Sequence, residues 1–167
     1  EFRRLIGPRR KFLAVVKANA YGHGLVEVAG IAAGEGVDWF GVNSVDEGAV
    51  LRRAGVEAPI LVLGYAPLAS LEEAVAAGLR LTVYNKETVD RLAGLAARMR
   101  KTVRLHIKLE TGTWRQGVAP RDLAAFVRGI RRRPGRVAEG LSSNIPKIED
   151  TTKQDYHRCQ LEDPNSV

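Results

Sequence analysis

A single lysine at the end of a short apolar run is the residue best placed to do covalent chemistry. We predict a buried parallel strand over residues 12–18, with Lys17 near its carboxyl end. A buried lysine is costly unless it is paired, deprotonated or covalently used. Burial lowers the pKa of a lysine, and the neutral amine can form a Schiff base with an aldehyde. Because Gly22 and Gly24 follow, the backbone can turn sharply there and approach a ligand.

A second set of chemically useful residues lies on another predicted strand, residues 102–110. Successive residues of a strand point to opposite sides, so this strand has two distinct faces. The apolar face holds Leu105, Ile107 and Leu109, and the polar face holds Arg104, His106, Lys108 and Glu110. In a barrel the apolar face can pack on helices, which leaves the polar face inside, where charges need partners. The loop that follows contains Arg115, and such loops carry the chemistry of barrel enzymes.

Two stretches around these residues resemble signatures of the alanine racemases, which are fold-type III pyridoxal-phosphate (PLP) enzymes. They are VVKANAYGHG, which contains Lys17, and HIKLETGTWRQGV, which contains Arg115. The resemblance implies that Lys17 holds PLP as the internal aldimine and then acts as the base on one face of the substrate Cα. It implies that Arg115 hydrogen-bonds the PLP phenolic oxygen and holds the substrate carboxylate, tasks that suit a planar guanidinium. Tyr21 would lie near the phosphate by family position; the alternative is that it packs over the glycine turn.

Lys108 corresponds, by the same resemblance, to a lysine that many alanine racemases carry as a carbamate, which orients the arginine. An unmodified Lys108 beside Arg115 is a repulsive pair, so we expect carbamylation or a nearby carboxylate such as Glu110. We expect His106 to be an interior histidine with satisfied hydrogen bonds rather than a ligand. No His and Cys residues have the spacing of a zinc site, so we expect no metal.

A third stretch, residues 140–152, resembles the racemase strand that ends in Thr-His, but it departs from the family pattern. The family's histidine, which supports the cofactor ring, falls on Asn144. Asparagine can hydrogen-bond but cannot stack as imidazole does, so we expect Asn144 to bind the cofactor more weakly. Pro146 and Lys147 follow it, and Trp114 is bulkier than the residue that is usual before the arginine.

These candidate sites need a scaffold, and the sequence predicts one in which strands and helices alternate. The predicted strands cover residues 12–18, 38–43, 59–64, 79–84, 102–110 and 137–143, and the helices about 2–11, 24–34, 45–54, 68–77, 86–99, 121–132 and 151–161. Ser44 and Glu47 form a predicted capping box. This alternation of strands and helices requires a parallel sheet with right-handed crossovers. We predict an α/β fold, a partial (β/α)8 TIM-type barrel of about six βα units. The alternative, an open doubly wound sheet, lacks its glycine-rich fingerprint after the first strand.

The charge, the cysteine count and the lengths of the apolar runs exclude several classes of function. The chain has 167 residues, a net charge of +7 and one cysteine, Cys159, so no internal disulfide is expected. No aromatic residues interleave the basic clusters and no nucleic-acid motif is present, so we expect no specific nucleic-acid partner. No apolar run approaches the ~20 residues that span a bilayer, so we expect no membrane contact and a cytoplasmic location. We assign residues 1–161 to one PLP-binding barrel domain and residues 162–167 to a tail.

The resemblance implies PLP-dependent racemisation of a small amino acid, L-alanine to D-alanine, by a homo-oligomer. It also implies that late barrel loops, an arginine facing the pyridine nitrogen and a tyrosine from a partner's C-terminal domain lie outside this sequence. We therefore expect the 167 residues alone to be weakly active or inactive. Two alternatives stay open, a non-catalytic barrel fragment that self-associates and a single-domain PLP-carrier protein.

Overall fold

A computed structural model describes residues 1–132 and 135–144, and these residues form a parallel sheet with helices between its strands. The strands are β1 (Leu13–Val15), β2 (Trp39–Val42), β3 (Ile60–Val62), β4 (Arg80–Val83), β5 (Val103–Lys108) and β6 (Arg136–Ser142). The helices are α1 (Phe2–Ile6), α2 (Leu25–Gly34), α3 (Val45–Arg53), α4 (Leu71–Ala76, preceded by the 3₁₀ turn Leu68–Ser70), α5 (Lys86–Met99) and α6 (Pro120–Arg131). The predicted helix at 151–161 and the predicted tail lie outside the described residues.

The strand order identifies the type of sheet. All pairings are parallel, and the strands lie in the order β1-β2-β3-β4-β5-β6. A doubly wound sheet would instead reverse its strand order at a switch point. The predicted partial barrel is therefore confirmed over the described residues, and the open-sheet alternative is wrong. None of the described helices combines the length and hydrophobicity that crossing a membrane requires.

The chain leaves β1 earlier than predicted, so Lys17 is not a strand residue. After Val15 the backbone forms a tight turn, Lys17–Tyr21, in which Ala18, Asn19, Ala20 and Tyr21 have φ between 52° and 55°. This left-handed conformation costs ~1–2 kcal/mol for each residue other than glycine. Hydrogen bonds offset part of the cost: Ala20 N donates to Val16 O at 2.9 Å, and Leu25 N donates to Asn19 Oδ1 at 2.8 Å.

The helix-facing side of the sheet forms the hydrophobic core. Alternate residues of β2 to β5 are at most 1% exposed, namely Phe40, Val42, Ile60, Val62, Leu81, Val83, Leu105 and Ile107. Leu51, Leu71, Leu92, Leu95 and Ile130 cover them from the helices. Burial of this apolar surface is the main term that stabilises the fold. The predicted split of the fifth strand into two faces is confirmed for Leu105 and Ile107 on the core side.

The opposite side of the sheet holds charged residues that pair with one carboxylate. A β-bulge between β5 and β6 lets Glu139 reach Arg80 at 2.8 Å and both Arg104 and His106 at 3.4 Å. Burial lowers the pKa of His106, and the Glu139 carboxylate offsets that effect only in part. The imidazole also makes an edge contact with the Trp39 ring, with 5.5 Å between ring centroids. His106 is thus an interior residue with an acidic partner.

Truncation of a core leucine should show how much stability this packing supplies. Leu92→Ala removes a side chain that is 0% exposed on α5, so the free energy of unfolding should fall by ~2–5 kcal/mol. Leu5→Ala is the matched control, because Leu5 is also helical but 68% exposed, and it should change stability by less than ~0.5 kcal/mol. Urea denaturation measures both variants. Equal losses in the two would contradict the assigned core.

Candidate active site

A cleft of about 390 Å³ lies at the carboxyl ends of the strands. Four of the residues predicted from the sequence, Lys17, Lys108, Arg115 and Asn144, line it together. They come from three segments, the ends of β1, β5 and β6 with the loops that follow, and parallel pairing brings these strand ends to one edge of the sheet. The remaining lining residues are Asn43, Leu63, Gly64, Tyr65, Thr82, Gln116, Ser142 and Ser143.

Lys17 is half-buried at the start of the left-handed turn. Its Nζ lies 6.0 Å from the centroid of the Tyr21 ring. Tyr21 itself is 62% exposed and is not a lining residue of the cleft, so the structure places it beside the amine but outside the cavity wall. Gly22, with φ 95°, ends the turn in a conformation that favours glycine, as the sequence suggested.

Lys108 is the most deeply buried charged group of the cleft. It is 6% exposed, and its Nζ donates to Asn144 Oδ1 at 2.7 Å. Burial lowers the pKa of Lys108, the Arg115 guanidinium lowers it further, and Glu110 acts in the opposite direction. The predicted repulsion between Lys108 and Arg115 is therefore present, and the predicted carboxylate partially compensates it.

Glu110 organises the loop that carries Arg115. Its carboxylate accepts hydrogen bonds from Gly112 N at 2.8 Å and from Trp114 N at 3.0 Å. Burial raises the pKa of the Glu110 carboxyl, but these donors outweigh burial, and the pKa lies below its ordinary value. Trp114 has a φ of 51°, is 79% exposed and is not among the residues that line the cleft. The unusual tryptophan therefore leaves the cavity open.

The loop after β5 and the end of β6 are joined by hydroxyl groups. Thr111 Oγ1 donates to Asn144 O at 3.2 Å and is hydrogen-bonded to Ser143 Oγ. Thr111 is 6% exposed, so its own hydroxyl group is shielded from solvent. It holds the backbone of Asn144 beside the loop, while the Asn144 side chain reaches Lys108.

Sequence reasoning missed two buried hydroxyl groups of the cleft. Thr82 Oγ1 and Ser142 Oγ are buried and have no hydrogen-bond partner among the described residues. Thr82 is 4% exposed on β4, and Ser142 ends β6. Thr82 lies between the apolar residues Leu81 and Val83, and this polar position could have indicated a site residue on β4. Within the described part of the chain, no group of three or more His, Cys, Asp or Glu side chains is arranged to hold a metal ion.

The consecutive order of the parallel strands defines an α/β domain of the barrel type. Amine and guanidinium groups at the carboxyl ends of these strands make its cleft a polar ligand site. Comparison with known proteins identifies the family. The family model described as "Alanine racemase, N-terminal domain" matches residues 1–166, and the chain belongs to this family.

The relatives and the solved structures agree with this assignment. "Alanine racemase 2" of Caldanaerobacter subterraneus subsp. tengcongensis is 38% identical over 163 residues, which are 97% of this chain and 42% of that protein. "Alanine racemase" of Symbiobacterium thermophilum is 40% identical over 152 residues, 91% of this chain and 40% of that protein. The structure of alanine racemase from Clostridium difficile 630 matches with a TM-score of 0.90 and 30% identity, over 96% of this chain and 42% of that one. The chain thus spans less than half the length of these proteins, which are all named as alanine racemases.

The charges around Lys108 predict pKa changes of opposite sign. Arg115→Met removes a cation and should raise the pKa of Lys108, whereas Glu110→Gln removes a carboxylate and should lower it. The pH dependence of Lys108 acylation, followed by peptide mass mapping, measures both. Arg121→Met is the control, because that side chain is 87% exposed. Shifts of the same sign in the first two variants would contradict the assigned electrostatics.

The lowered pKa of Lys108 also predicts how stability depends on pH. The unfolded chain binds more protons than the folded chain between the folded pKa and the higher, unfolded pKa of ~10.4. The free energy of unfolding should therefore gain a positive contribution as pH rises through that window. Lys108→Met should lack this contribution, which denaturation at several pH values can measure. An unchanged slope would show that Lys108 has the same pKa in both states.

Proposed function

We propose that this chain is the PLP-binding part of an amino-acid racemase and that Lys17 binds the cofactor covalently. The observation that carries the proposal is that the Lys17 amine and the Arg115 guanidinium line one cleft in a member of the alanine racemase family. An amine reacts with the aldehyde of PLP, and a guanidinium pairs with its anionic oxygens. Lys108 and Asn144, which the resemblance also assigns to the site, line the same cleft, whereas Tyr21 does not.

The chemistry of the cleft suits an anionic, polar ligand of this kind. Lys108 and Arg115 supply positive charge, and Glu110, the carboxylate that acts on Lys108 within the described residues, also accepts hydrogen bonds from its own loop. Thr82 and Ser142 present buried hydroxyl groups without partners among the described residues. Buried polar groups are normally hydrogen-bonded, so these two support a ligand that supplies the missing contacts.

The chain's own groups have distinct tasks in the proposed reaction. PLP, when bound, supplies an electron sink for the carbanion left by removal of the α-proton. Lys17 Nζ takes or returns that proton on one face of the substrate Cα. Arg115 holds the substrate carboxylate, and Lys108, hydrogen-bonded to Asn144, lies beside it as a positioning residue that carbamylation would convert into an anion. We propose alanine as the substrate, because the relatives are named alanine racemases.

Racemisation also needs a group on the opposite face of the substrate. We propose this activity for a polypeptide of the relatives' length, in which a partner subunit supplies that group. The 167 residues alone are then expected to bind PLP and to racemise alanine feebly or not at all. PLP binding and alanine racemisation must therefore be measured separately.

Self-association without catalysis is the second candidate function. Apolar side chains on the two terminal strands of the described sheet are exposed: Val15 on β1 by 40%, and Val137 and Leu141 on β6 by 44% and 56%. Within the described residues each of these strands pairs on one side only, and open strand edges tend to pair with other chains. Sedimentation equilibrium tests it: a monomer at micromolar concentration would exclude this candidate.

Covalent trapping of PLP should identify Lys17. Stoichiometric PLP followed by borohydride reduction should place the adduct on Lys17, because its amine lies in the cleft. Lys17→Ala should abolish that adduct, and Lys86→Ala should leave it unchanged, since the Lys86 side chain is 80% exposed on α5. Peptide mass mapping provides the readout. Adducts scattered over surface lysines, or none, would refute cofactor binding at this site.

Thr82→Val should affect stability and ligand binding in opposite directions. Removal of a buried hydroxyl without a partner should raise the free energy of unfolding by ~1 kcal/mol. Loss of its hydrogen bond to the ligand should weaken PLP binding roughly threefold to tenfold. Denaturation and PLP titration measure the two effects. Thr88→Val, equally buried but on α5, should leave PLP affinity unchanged, and a fall in both variants would remove Thr82 from the site.

A further inference from the structure

The backbone that carries Lys17 is held by a carboxylate from the next βα unit. Glu47, in the first turn of α3, accepts a hydrogen bond from Ala18 N through Oε1 and from Asn43 N through Oε2, both at 2.7 Å. The predicted capping box is thus present on one side only. Ser44 Oγ accepts from Glu47 N at 3.3 Å, whereas the Glu47 side chain leaves the helix and joins two loops.

The residues before and after Lys17 are both held by backbone hydrogen bonds. Val16 N donates to Gly41 O at 2.8 Å, and Ala18 N donates to Glu47. The two residues that flank the lysine are therefore bound to β2 and to the start of α3, rather than to the helix that follows the turn. The position of the Lys17 Cα is set by the neighbouring βα unit.

The left-handed turn explains why such an anchor is needed. Ala18 is the first of four consecutive non-glycine residues with positive φ, a conformation that the chain does not adopt unless its surroundings impose it. Asn19 Oδ1 fixes the far side of the turn through Leu25 N at 2.8 Å. Glu47 fixes the near side, immediately after the lysine.

We propose that Glu47 is a positioning residue for Lys17, which holds the lysine's backbone through Ala18 N and couples it to the end of β2 through Asn43 N. An ionised carboxylate is suited to this task because both oxygens accept hydrogen bonds, whereas a glutamine amide can accept with one only. Its consequence for the cofactor rests on the proposed function, but the backbone claim does not.

Amide hydrogen exchange tests the backbone claim directly. Glu47→Gln should accelerate exchange at Ala18 N or Asn43 N roughly tenfold, and Glu47→Ala should accelerate both, because hydrogen bonds to a charged group are lost. Asp46→Asn is the matched control, since it makes the same charge change one residue earlier in α3 and should leave both rates unchanged. Amides of β5 report global unfolding, so an acceleration at Ala18 N and Asn43 N beyond that of the β5 amides distinguishes a local loss from a general loss of stability.

Cofactor trapping tests the consequence for Lys17. The fraction of Lys17 that forms a reduced PLP adduct should fall roughly tenfold in Glu47→Gln and should equal the wild-type value in Asp46→Asn. Unchanged exchange at Ala18 and Asn43 in Glu47→Ala would overturn the proposal, as would faster exchange with an undiminished adduct. A wild-type chain without an adduct on Lys17 would refute cofactor binding, while the exchange rates would still decide whether Glu47 holds the turn.

Discussion

The burial of a lysine beside a guanidinium is the constraint on which the site depends. Lys108 is nearly inaccessible to solvent, and the nearby Arg115 guanidinium disfavours its charged form. Glu110 compensates only in part, because its effect on the pKa of Lys108 is smaller than the combined effect of burial and Arg115. An anionic ligand in this cleft would favour the charged form of Lys108, since it would add negative charge to that of Glu110. The arrangement that disfavours the charged form of Lys108 therefore also favours the binding of an anion.

Charged groups on the inner side of the sheet have two different kinds of partner. At the level of His106, Glu139 pairs with surrounding basic groups, and a β-bulge provides the extra residue that makes this possible. At the level of Lys108 the hydrogen-bond partner is the neutral Asn144. A paired charge contributes to a fixed structure, whereas an incompletely compensated one is available for ligand binding. The change from a charged partner to a neutral one occurs between His106 and Lys108 of β5.

Much of the fold could be predicted from residue periodicity, because burial on one face of each strand leaves a clear pattern. The alternation in β5 correctly separated Leu105 and Ile107 from His106 and Lys108. The turn after Lys17 could not be predicted, because Ala18 and its successors have no intrinsic preference for positive φ. Its conformation depends on a contact with Glu47, which is distant in sequence. A local pattern cannot report a constraint that arises between two βα units.

Asn144 gives the site a property that a histidine would not. Its amide oxygen accepts from Lys108 Nζ, and an amide does not change its charge over the physiological pH range. A histidine at this position would add a third group able to become cationic beside Lys108 and Arg115. The asparagine therefore limits the positive charge that the cleft accumulates as pH falls, although it gives up the stacking surface of an imidazole. The side chain at position 144 thus gives Lys108 a hydrogen-bond acceptor that does not titrate.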